Sequence, residues 1–423
     1  MQIRGLTRTF ARALRASIAV LAIAGAVCTT ASAATVGPFG MAFYRAPSPL
    51  PSGPHGTLIW YRPAHVRLGF GAPSVEAWTV LYLSQSLSGI PDAVTGTVIV
   101  PTAPWNGTDP RPIVDYAVGT QGLQQSEAPS LQFVSGREYE IEAVDRLLAQ
   151  GWAVEVTDYA GYTTGATPDY SVGQSEGHAV LDISTAALQI PDTGLSANAD
   201  TVIWGYSQGG QASAWAAELW PSYDPAMDLV GDAAGGVPAN LEATAELLNG
   251  GPGAAFMFYG IVGLDVDYPA QIDLAFYANA AGLEAIGDVL TESSSAAVKQ
   301  FAGQNIDAYT NGGLTLNQLL VVPEIQGVLS AQQLGLAPID VPMFHYHAMA
   351  DDVVPLAQDT ALNAAYCAMG DPVELALYPG GHIAGWAQGI PAAVSWIAAR
   401  FVGETPPNNC AGSSAIGRLA TPR

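Results

Sequence analysis

The chain has 423 residues, of which 37 are Asp or Glu and 14 are Lys or Arg, giving a formal net charge of −23. A negatively charged surface repels nucleic acid and anionic membranes, so both are poor partners for this chain. The histidines and the three cysteines show no metal-ligand spacing, so the sequence gives no support for a metal site. Lys299 is the only lysine, so a mechanism with a Schiff-base intermediate would have to use this residue.

The first 33 residues predict a secretory signal peptide. Four arginines precede the apolar run 16–27, and Ala31-Ser32-Ala33 is a cleavage site of the A-x-A type. The mature chain would begin near Ala34, be secreted and, without those arginines, carry a formal charge of −27. The apolar run is too short to span a membrane permanently, and no later stretch is long enough, so we expect no stable membrane insertion.

The start of the mature chain is predicted to be an extended arm followed by an antiparallel strand pair. The segment Pro38 to Pro54 is rich in proline, which favours an extended arm on the surface. Strand patterns over 78–83 and 93–100 flank the turn residues Gly89-Ile90-Pro91-Asp92. We expect these two strands to pair at the edge of a sheet.

From residue 112 the pattern changes to alternating strands and helices. The predicted strands cover 112–118, 152–156, 201–204 and 226–237, and the predicted helices between them cover 138–150 and 176–188. Such alternation predicts parallel strands joined by right-handed crossovers, with helices on both faces of the sheet.

The alternation stops between about Asn240 and Leu336, where the sequence is mainly helical. Strand patterns return over 341–348 and 373–378. The helical stretch therefore predicts a cap over the C-terminal edge of the sheet. The expected domains are a core of residues 34–239 and 341–423 and a cap of residues 240–340.

A candidate nucleophile lies directly after the predicted strand 201–204. Gly205-Tyr206-Ser207-Gln208-Gly209 has the G-x-S-x-G pattern, and an alanine-rich helix follows it. Between a strand and a helix, this pattern is typical of a sharp turn that exposes the serine hydroxyl above a parallel sheet. Ser207 is the candidate nucleophile, and the alternative is an ordinary serine in a strand-to-helix turn. The backbone N–H of Gln208 would face a developing oxyanion.

A serine nucleophile needs a histidine base. Of the three histidines after Ser207, His345 and His347 lie inside a predicted strand, where simple packing is the plainer interpretation. His382 instead follows the last predicted strand and two glycines. We expect a flexible loop there, at the C-terminal ends of the parallel strands, where the active sites of such sheets usually lie. His382 is therefore assigned as the general base.

The acid that orients the histidine should lie between Ser207 and His382. Asp351 directly follows the strand 341–348 and is the candidate, with Asp352 as the alternative, because strand ends are predicted only to within a residue or more. A further oxyanion donor is expected in the loop 118–122, from the backbone N–H of Thr120 or Gln121.

Two cysteines, Cys367 and Cys410, remain after export. An even number in an exported chain predicts one disulfide that closes the C-terminal segment. The alternative is a pair of buried free thiols.

The order of these motifs resembles the secretory lipase family, the lipase A-like α/β-hydrolases. The resemblance covers nearly the whole mature chain, and one departure is Glu127, where many relatives have a cysteine. It implies that the disulfide anchored there is absent, whereas the link between Cys367 and Cys410 is retained. The residues that carry the resemblance are 205–210, Asp158-Tyr159-Ala160-Gly161, Ala128-Pro129-Ser130, Asp351 with Val354-Pro355, and Gly381-His382.

The resemblance implies an α/β-hydrolase fold, with a mostly parallel central sheet, helices on both faces and a helical cap or lid. It implies a secreted triacylglycerol lipase, or another carboxylester hydrolase, that needs no cofactor. Ser207 would attack the ester, His382 would carry the proton and Asp351 would fix the imidazole, by way of an acyl-enzyme. The cap would cover an acyl tunnel, although ordinary packing is the alternative for each candidate lining residue. The candidates are Phe256, Met257, Phe258, Ile261 and Val262.

Two other functions stay open at this point. The same triad could serve a serine peptidase, and an exported binding protein could keep the fold without catalysis. An acylglycerol or other carboxylic ester is the expected partner, with transient contact to a lipid interface and no protein partner.

Overall fold

The computed structural model describes residues 34–412 and 418–419, so the predicted signal peptide lies outside the described residues. The strands are β1 Leu58–Pro63, β2 Val75–Gln85, β3 Pro91–Pro101, β4 Ile113–Ala117, β5 Ala153–Thr157, β6 Thr201–Tyr206, β7 Leu229–Gly235, β8 Met343–Ala348, β9 Val373–Tyr378 and β10 Arg418–Leu419. No helix in the described ranges combines the length and the apolar character needed to cross a membrane.

Fourteen α-helices accompany the strands in the described residues. They are α1 Pro129–Ser135, α2 Ile141–Ala149, α3 Gly173–Ala187, α4 Gln208–Tyr223, α5 Leu241–Leu248, α6 Ala254–Asp267, α7 Pro269–Ile272, α8 Leu274–Tyr277, α9 Ala280–Thr291, α10 Ser294–Phe301, α11 Leu316–Leu320, α12 Pro323–Ala331, α13 Leu356–Met369 and α14 His382–Phe401.

The strands form one sheet in the order β1-β2-β3-β5-β4-β6-β7-β8-β9-β10. Strands β1, β2 and β3 pair antiparallel, β3 is antiparallel to β5, and every later pair is parallel. All residues of β4, β5, β6 and β8 are buried, which requires cover on both faces of the sheet. The prediction of a mostly parallel sheet flanked by helices is therefore confirmed.

The predicted antiparallel pair corresponds to β2 and β3, which pair along their whole length. Its place at the sheet edge was wrong, because β1 pairs with β2 on the outer side. The predicted extended arm was also wrong in part. A 3-10 turn over Gly40–Tyr44 buries Phe43 and Tyr44, and the Tyr44 hydroxyl lies 2.7 Å from Oγ of Ser130. Burial of these two aromatic side chains removes apolar surface from water, and this gain in free energy exceeds the preference of a proline-rich segment for an extended conformation.

The eight helices α5 to α12 lie between β7 and β8 in the chain. They have an apolar interior of their own, which includes Phe258, Val289 and Phe301. Side chains cap several of these helices at their first turn, since Asn240, Asn279, Ser293 and Thr315 each accept a backbone N–H there. The predicted helical stretch 240–336 is therefore organised as a packed layer of short helices.

Cys367 on α13 and Cys410 are joined by a disulfide, with their Cα atoms 5.4 Å apart. Both cysteines are partly buried and pack against the main apolar cluster of the core. The predicted disulfide is thus confirmed, and it ties the C-terminal segment to α13.

Loss of this disulfide should destabilise the fold. For a sequence separation of 43 residues, the chain-entropy relation predicts a loss of about 4 kcal/mol in the free energy of unfolding. We expect the double variant Cys367→Ala/Cys410→Ala to unfold at a lower urea concentration than the parent chain. Two alkylatable thiols in the unreduced parent chain, or an unchanged unfolding midpoint, would contradict the expectation.

Candidate active site

Ser207 lies at the turn between β6 and α4. Its backbone has φ 61° and ψ −123°, a conformation that few residues other than glycine adopt. Its N–H donates to the carbonyl oxygen of Gly235 at 2.9 Å, which ties the turn to β7. A Cβ atom at Gly205 would lie 2.1 Å from the carbonyl oxygen of Gly209, and one at Gly209 would lie 1.9 Å from that of Ala117. Both glycines are therefore required for so sharp a turn.

His382 begins helix α14, whereas the sequence predicted a flexible loop at this position. The two glycines before it indicated a loop, but the helix starts immediately after them. Nδ1 of His382 lies 2.7 Å from Oδ2 of Asp351. The hydroxyl of Tyr206, the neighbour of Ser207, donates to the carbonyl oxygen of His382 at 2.8 Å. The imidazole is thus held beside the nucleophile turn.

The second ring nitrogen of His382, Nε2, is buried and has no hydrogen-bond partner within the described residues. No hydrogen bond therefore joins it to Ser207. Because Nδ1 faces a carboxylate, Nδ1 carries the proton of the neutral ring and Nε2 is the nitrogen that can accept one. Catalytic hydrogen bonds are often unformed before a substrate binds. Nε2 is thus the ring nitrogen that is available to take a proton.

The carboxyl group of Asp351 is fully buried. Its Oδ1 accepts the backbone N–H groups of Val353 at 2.9 Å and Val354 at 2.8 Å. Burial would raise the pKa of Asp351, but the hydrogen bond and charge of His382 and the backbone bond from Val354 lower it below its ordinary value. Asp352, the alternative, accepts the backbone N–H of His382 at 3.1 Å and has no hydrogen bond to the ring. The geometry therefore pairs Asp351 with the imidazole.

Gln208 follows Ser207 as the first residue of α4. The backbone N–H groups in the first turn of an α-helix have no acceptor within the helix and can meet an anionic group. The side chain of Gln208 points elsewhere, because its Nε2 donates to Oε1 of Glu176 at 2.7 Å. Any contribution of Gln208 to an oxyanion site would thus come from its backbone.

The loop after β4 contains the other two predicted oxyanion residues. The hydroxyl of Thr120 lies 2.7 Å from the hydroxyl of Tyr170, and Nε2 of Gln121 donates to Oε1 of Glu138 at 3.1 Å. Both side chains are held by the protein itself, so their backbone N–H groups are the candidate donors, and the choice between them stays a prediction.

A cavity of ≈ 170 Å³ opens at Ser207 and Gln208 and continues between the helices that follow β7. Four of the predicted lining residues, Phe256, Met257, Phe258 and Ile261, do line it. Val262 does not line the cavity and packs in the apolar interior of the helical layer, which is the alternative of ordinary packing. The reason is helical periodicity, because positions 257, 260, 261 and 264 share one face of α6 and position 262 lies outside that face.

The family model for secretory lipases matches residues 127–409 of this chain. The chain belongs to the secretory lipase family. It is 29% identical over 408 residues to Lipase 2 of Candida albicans, which covers 90% of this chain and 84% of the relative. It is 30% identical over 330 residues to secreted triacylglycerol lipase LIP3 of Malassezia restricta, which covers 74% of this chain and 68% of the relative.

The fold of this secretory lipase is similar to that of Candida antarctica lipase A in its closed state, with a TM-score of 0.77. The two sequences are 23% identical, and the match covers 89% of each chain. The predicted α/β-hydrolase fold is therefore confirmed, and the family match makes the chain an enzyme of the lipase and esterase class. One relative, 28% identical over 374 residues, is a probable inactive lipase of Mycobacterium tuberculosis.

Two buried glutamates support the candidate oxyanion loop of this secretory lipase. Oε2 of Glu140 accepts the N–H of Gly119 at 2.9 Å, and Oε1 of Glu138 accepts the N–H of Glu140 at 3.0 Å. Burial raises the pKa of Glu138 to about 7 and that of Glu140 well above its ordinary value. Nothing in the sequence distinguished these residues, because acidic side chains are common near helix N-termini.

A third buried acid, Glu176, accepts a hydrogen bond from the side chain of Gln208, the first residue of α4. Besides Gln208, it accepts the backbone N–H of Ser171 at 3.0 Å. Burial raises the pKa of Glu176 to about 8. Ser171 has a φ of 64° and lines the cavity, so Glu176 fixes both a strained cavity residue and the start of α4.

Proposed function

We propose that this secretory lipase cleaves long-chain acylglycerol esters with Ser207, His382 and Asp351 as its catalytic triad. The observation that carries the proposal is the 2.7 Å contact between Nδ1 of His382 and Oδ2 of Asp351, at the sheet edge where Ser207 occupies the sharp turn. The arrangement matches the roles of nucleophile, base and orienting acid. The hydrogen bond from the Tyr206 hydroxyl to the backbone carbonyl oxygen of His382 also holds the base close to the turn that contains Ser207.

The proposed reaction is acyl transfer in two steps. The hydroxyl oxygen of Ser207 attacks the ester carbonyl, and Nε2 of His382 takes the hydroxyl proton and returns it to the leaving alcohol. Water then attacks the acyl-enzyme with the same histidine as base, and the fatty acid leaves. Backbone N–H groups of Gln208 and of Thr120 or Gln121 would stabilise the oxyanion in both steps.

Residues 240–340 would act as a cap that receives the acyl chain. The cavity at Ser207 is lined mostly by apolar residues, which include Leu, Ile and Phe side chains of α5, α6, α11 and α12. Each methylene group of a fatty acid buried there contributes about 0.8 kcal/mol. Long acyl chains are therefore the preferred substrates, in keeping with the triacylglycerol lipase named among the relatives. Export would follow cleavage of the signal peptide near Ala33.

Filling the cavity should shorten the preferred acyl chain. Gly260 lines the cavity, and a Cβ atom placed there would meet nothing within 4 Å. The leucine side chain of Gly260→Leu would exclude about three methylene groups of the acyl chain from the cavity, at a cost of roughly 2.4 kcal/mol in binding free energy. We therefore expect kcat/KM for a long-chain ester to fall by about 50-fold. Rates on p-nitrophenyl butyrate should change by less than about threefold.

The matched control is Gly287→Leu. Gly287 is also inside a helix and also has open space around its Cβ position, but it is exposed and does not line the cavity. This variant should keep the chain-length profile of the parent enzyme. Equal profiles for both variants would place the acyl site elsewhere, and hydrolysis of aminoacyl anilides at rates above those for esters would favour a peptidase.

A further inference from the structure

His347 lies on β8, close to Asp351, and its side chain is completely buried. Its Nδ1 lies 2.5 Å from Oδ2 of Asp359 on α13. On the other side of the ring, Nε2 lies 3.1 Å from the carbonyl oxygen of Val354 and 3.5 Å from Oδ2 of Asp351. Each ring nitrogen therefore faces an oxygen that can accept a hydrogen bond.

These contacts determine the protonation state of His347. The carbonyl oxygen of Val354 can only accept, so Nε2 carries a proton. Oδ2 of Asp359 also accepts the N–H of Val237 at 3.2 Å and faces Nε2 of His345 at 3.0 Å. Oδ2 of an ionised Asp359 can only accept, so in its 2.5 Å contact Nδ1 of His347 is the donor. With a proton on both ring nitrogens, the side chain of His347 is an imidazolium cation.

We propose that His347 is a protonated positioning residue whose charge keeps Asp351 ionised and able to hold His382, so that the enzyme stays active at acidic pH. The inference rests on the proposed triad. His347 contacts the orienting acid and not the substrate cavity, since it is absent from the cavity lining.

The physical basis is the sharing of one carboxylate oxygen by two imidazoles. Oδ2 of Asp351 lies 2.7 Å from Nδ1 of His382 and 3.5 Å from Nε2 of His347. A cation beside a carboxylate favours the ionised form of the carboxylate, and the charge of His347 is among the causes that lower the pKa of Asp351.

The other titratable groups around His347 are consistent with a fixed positive charge there. Burial lowers the pKa of His347, but the charge and hydrogen bond of Asp359 and the charge of Asp351 raise it above its ordinary value. Burial raises the pKa of Asp359, but the charges of His347 and His345 bring it down to about 2. Tyr206, on β6, faces the same carboxylates as a neutral phenol, because burial raises its pKa.

The test is the pH dependence of kcat/KM for p-nitrophenyl butyrate in His347→Gln. Glutamine keeps a polar side chain but removes the charge. We expect the acid limb of the profile to move up by about one pH unit, with KM changed by less than about twofold. The matched control is His345→Gln, because His345 lies on the same strand, is equally buried and shares Asp359. Its acid limb should stay within about 0.2 unit of the parent enzyme.

A second measurement needs no variant. In the parent enzyme labelled with ¹⁵N-histidine, NMR should show both ring nitrogens of His347 protonated from pH 5 to pH 8. An unprotonated ring nitrogen at pH 7, an unmoved acid limb in His347→Gln, or an equal shift in His345→Gln would each overturn the inference. A fully active Ser207→Ala variant would instead contradict the triad while leaving the NMR result unchanged, so the two failures are distinguishable.

Discussion

Replacing Ser207 with alanine is expected to lower kcat for ester hydrolysis by a factor of about 10⁵ to 10⁶, because no other group can form the acyl-enzyme. His382→Ala should lose a similar factor, since the members of a triad act as a unit. The fold should stay intact, because alanine and serine meet the same strain at a positive φ. Initial rates on p-nitrophenyl esters and circular dichroism of the purified variants measure both effects.

Ser171→Ala is the matched control for Ser207→Ala. Ser171 also has a positive φ, of 64°, and also lines the cavity, so the substitution removes a hydroxyl from the same space at the same backbone strain. It should keep activity within about tenfold of the parent enzyme. Activity above a trace in Ser207→Ala, or an equal loss in Ser171→Ala, would remove Ser207 from its proposed role.

Asp351→Asn is expected to lower kcat by about 10⁴, by analogy with the acid of serine proteases. Asparagine fills the same volume, but its NH₂ group favours the wrong histidine tautomer, in which Nε2 carries the proton. The effect should fall on kcat rather than on KM, because Asp351 does not line the cavity. Steady-state kinetics on a soluble short-chain ester separate the two constants.

Asp352→Asn is the control for Asp351→Asn, one residue away. Asp352 is exposed and accepts the backbone N–H of His382 through Oδ1, a bond that an asparagine oxygen can also accept. We expect a loss of less than about tenfold. The reverse ranking of the two variants would transfer the orienting role to Asp352.

Local patterns were enough to predict the parts of the site that depend on neighbours in sequence. The G-x-S-x-G turn was predictable because the close approaches of Gly205 and Gly209 to backbone oxygens exclude other residues. Strands β4 to β9 were predicted to within a few residues, since strands buried on both faces are continuous apolar runs. The order of elements along the chain then placed Asp351 and His382 at the same sheet edge.

Contacts between distant segments could not be predicted in the same way. The bond from Gly119 to Glu140 and the pairing of His347 with Asp359 depend on how helices pack beside the sheet. Nothing local marks such pairs, because buried acids and histidines look like ordinary surface residues in a sequence. The neighbours of β3 were equally unpredictable, since β3 lies next to β5 and not next to β4.

The central claim is that Ser207 is the nucleophile that His382 activates. The most direct measurement is mass spectrometry of the enzyme after reaction with a fluorophosphonate, followed by peptide mapping. One adduct per chain should form on the peptide that contains Ser207, and it should form far more slowly in His382→Ala. An adduct on another residue, or no adduct at all in the active parent enzyme, would contradict the claim.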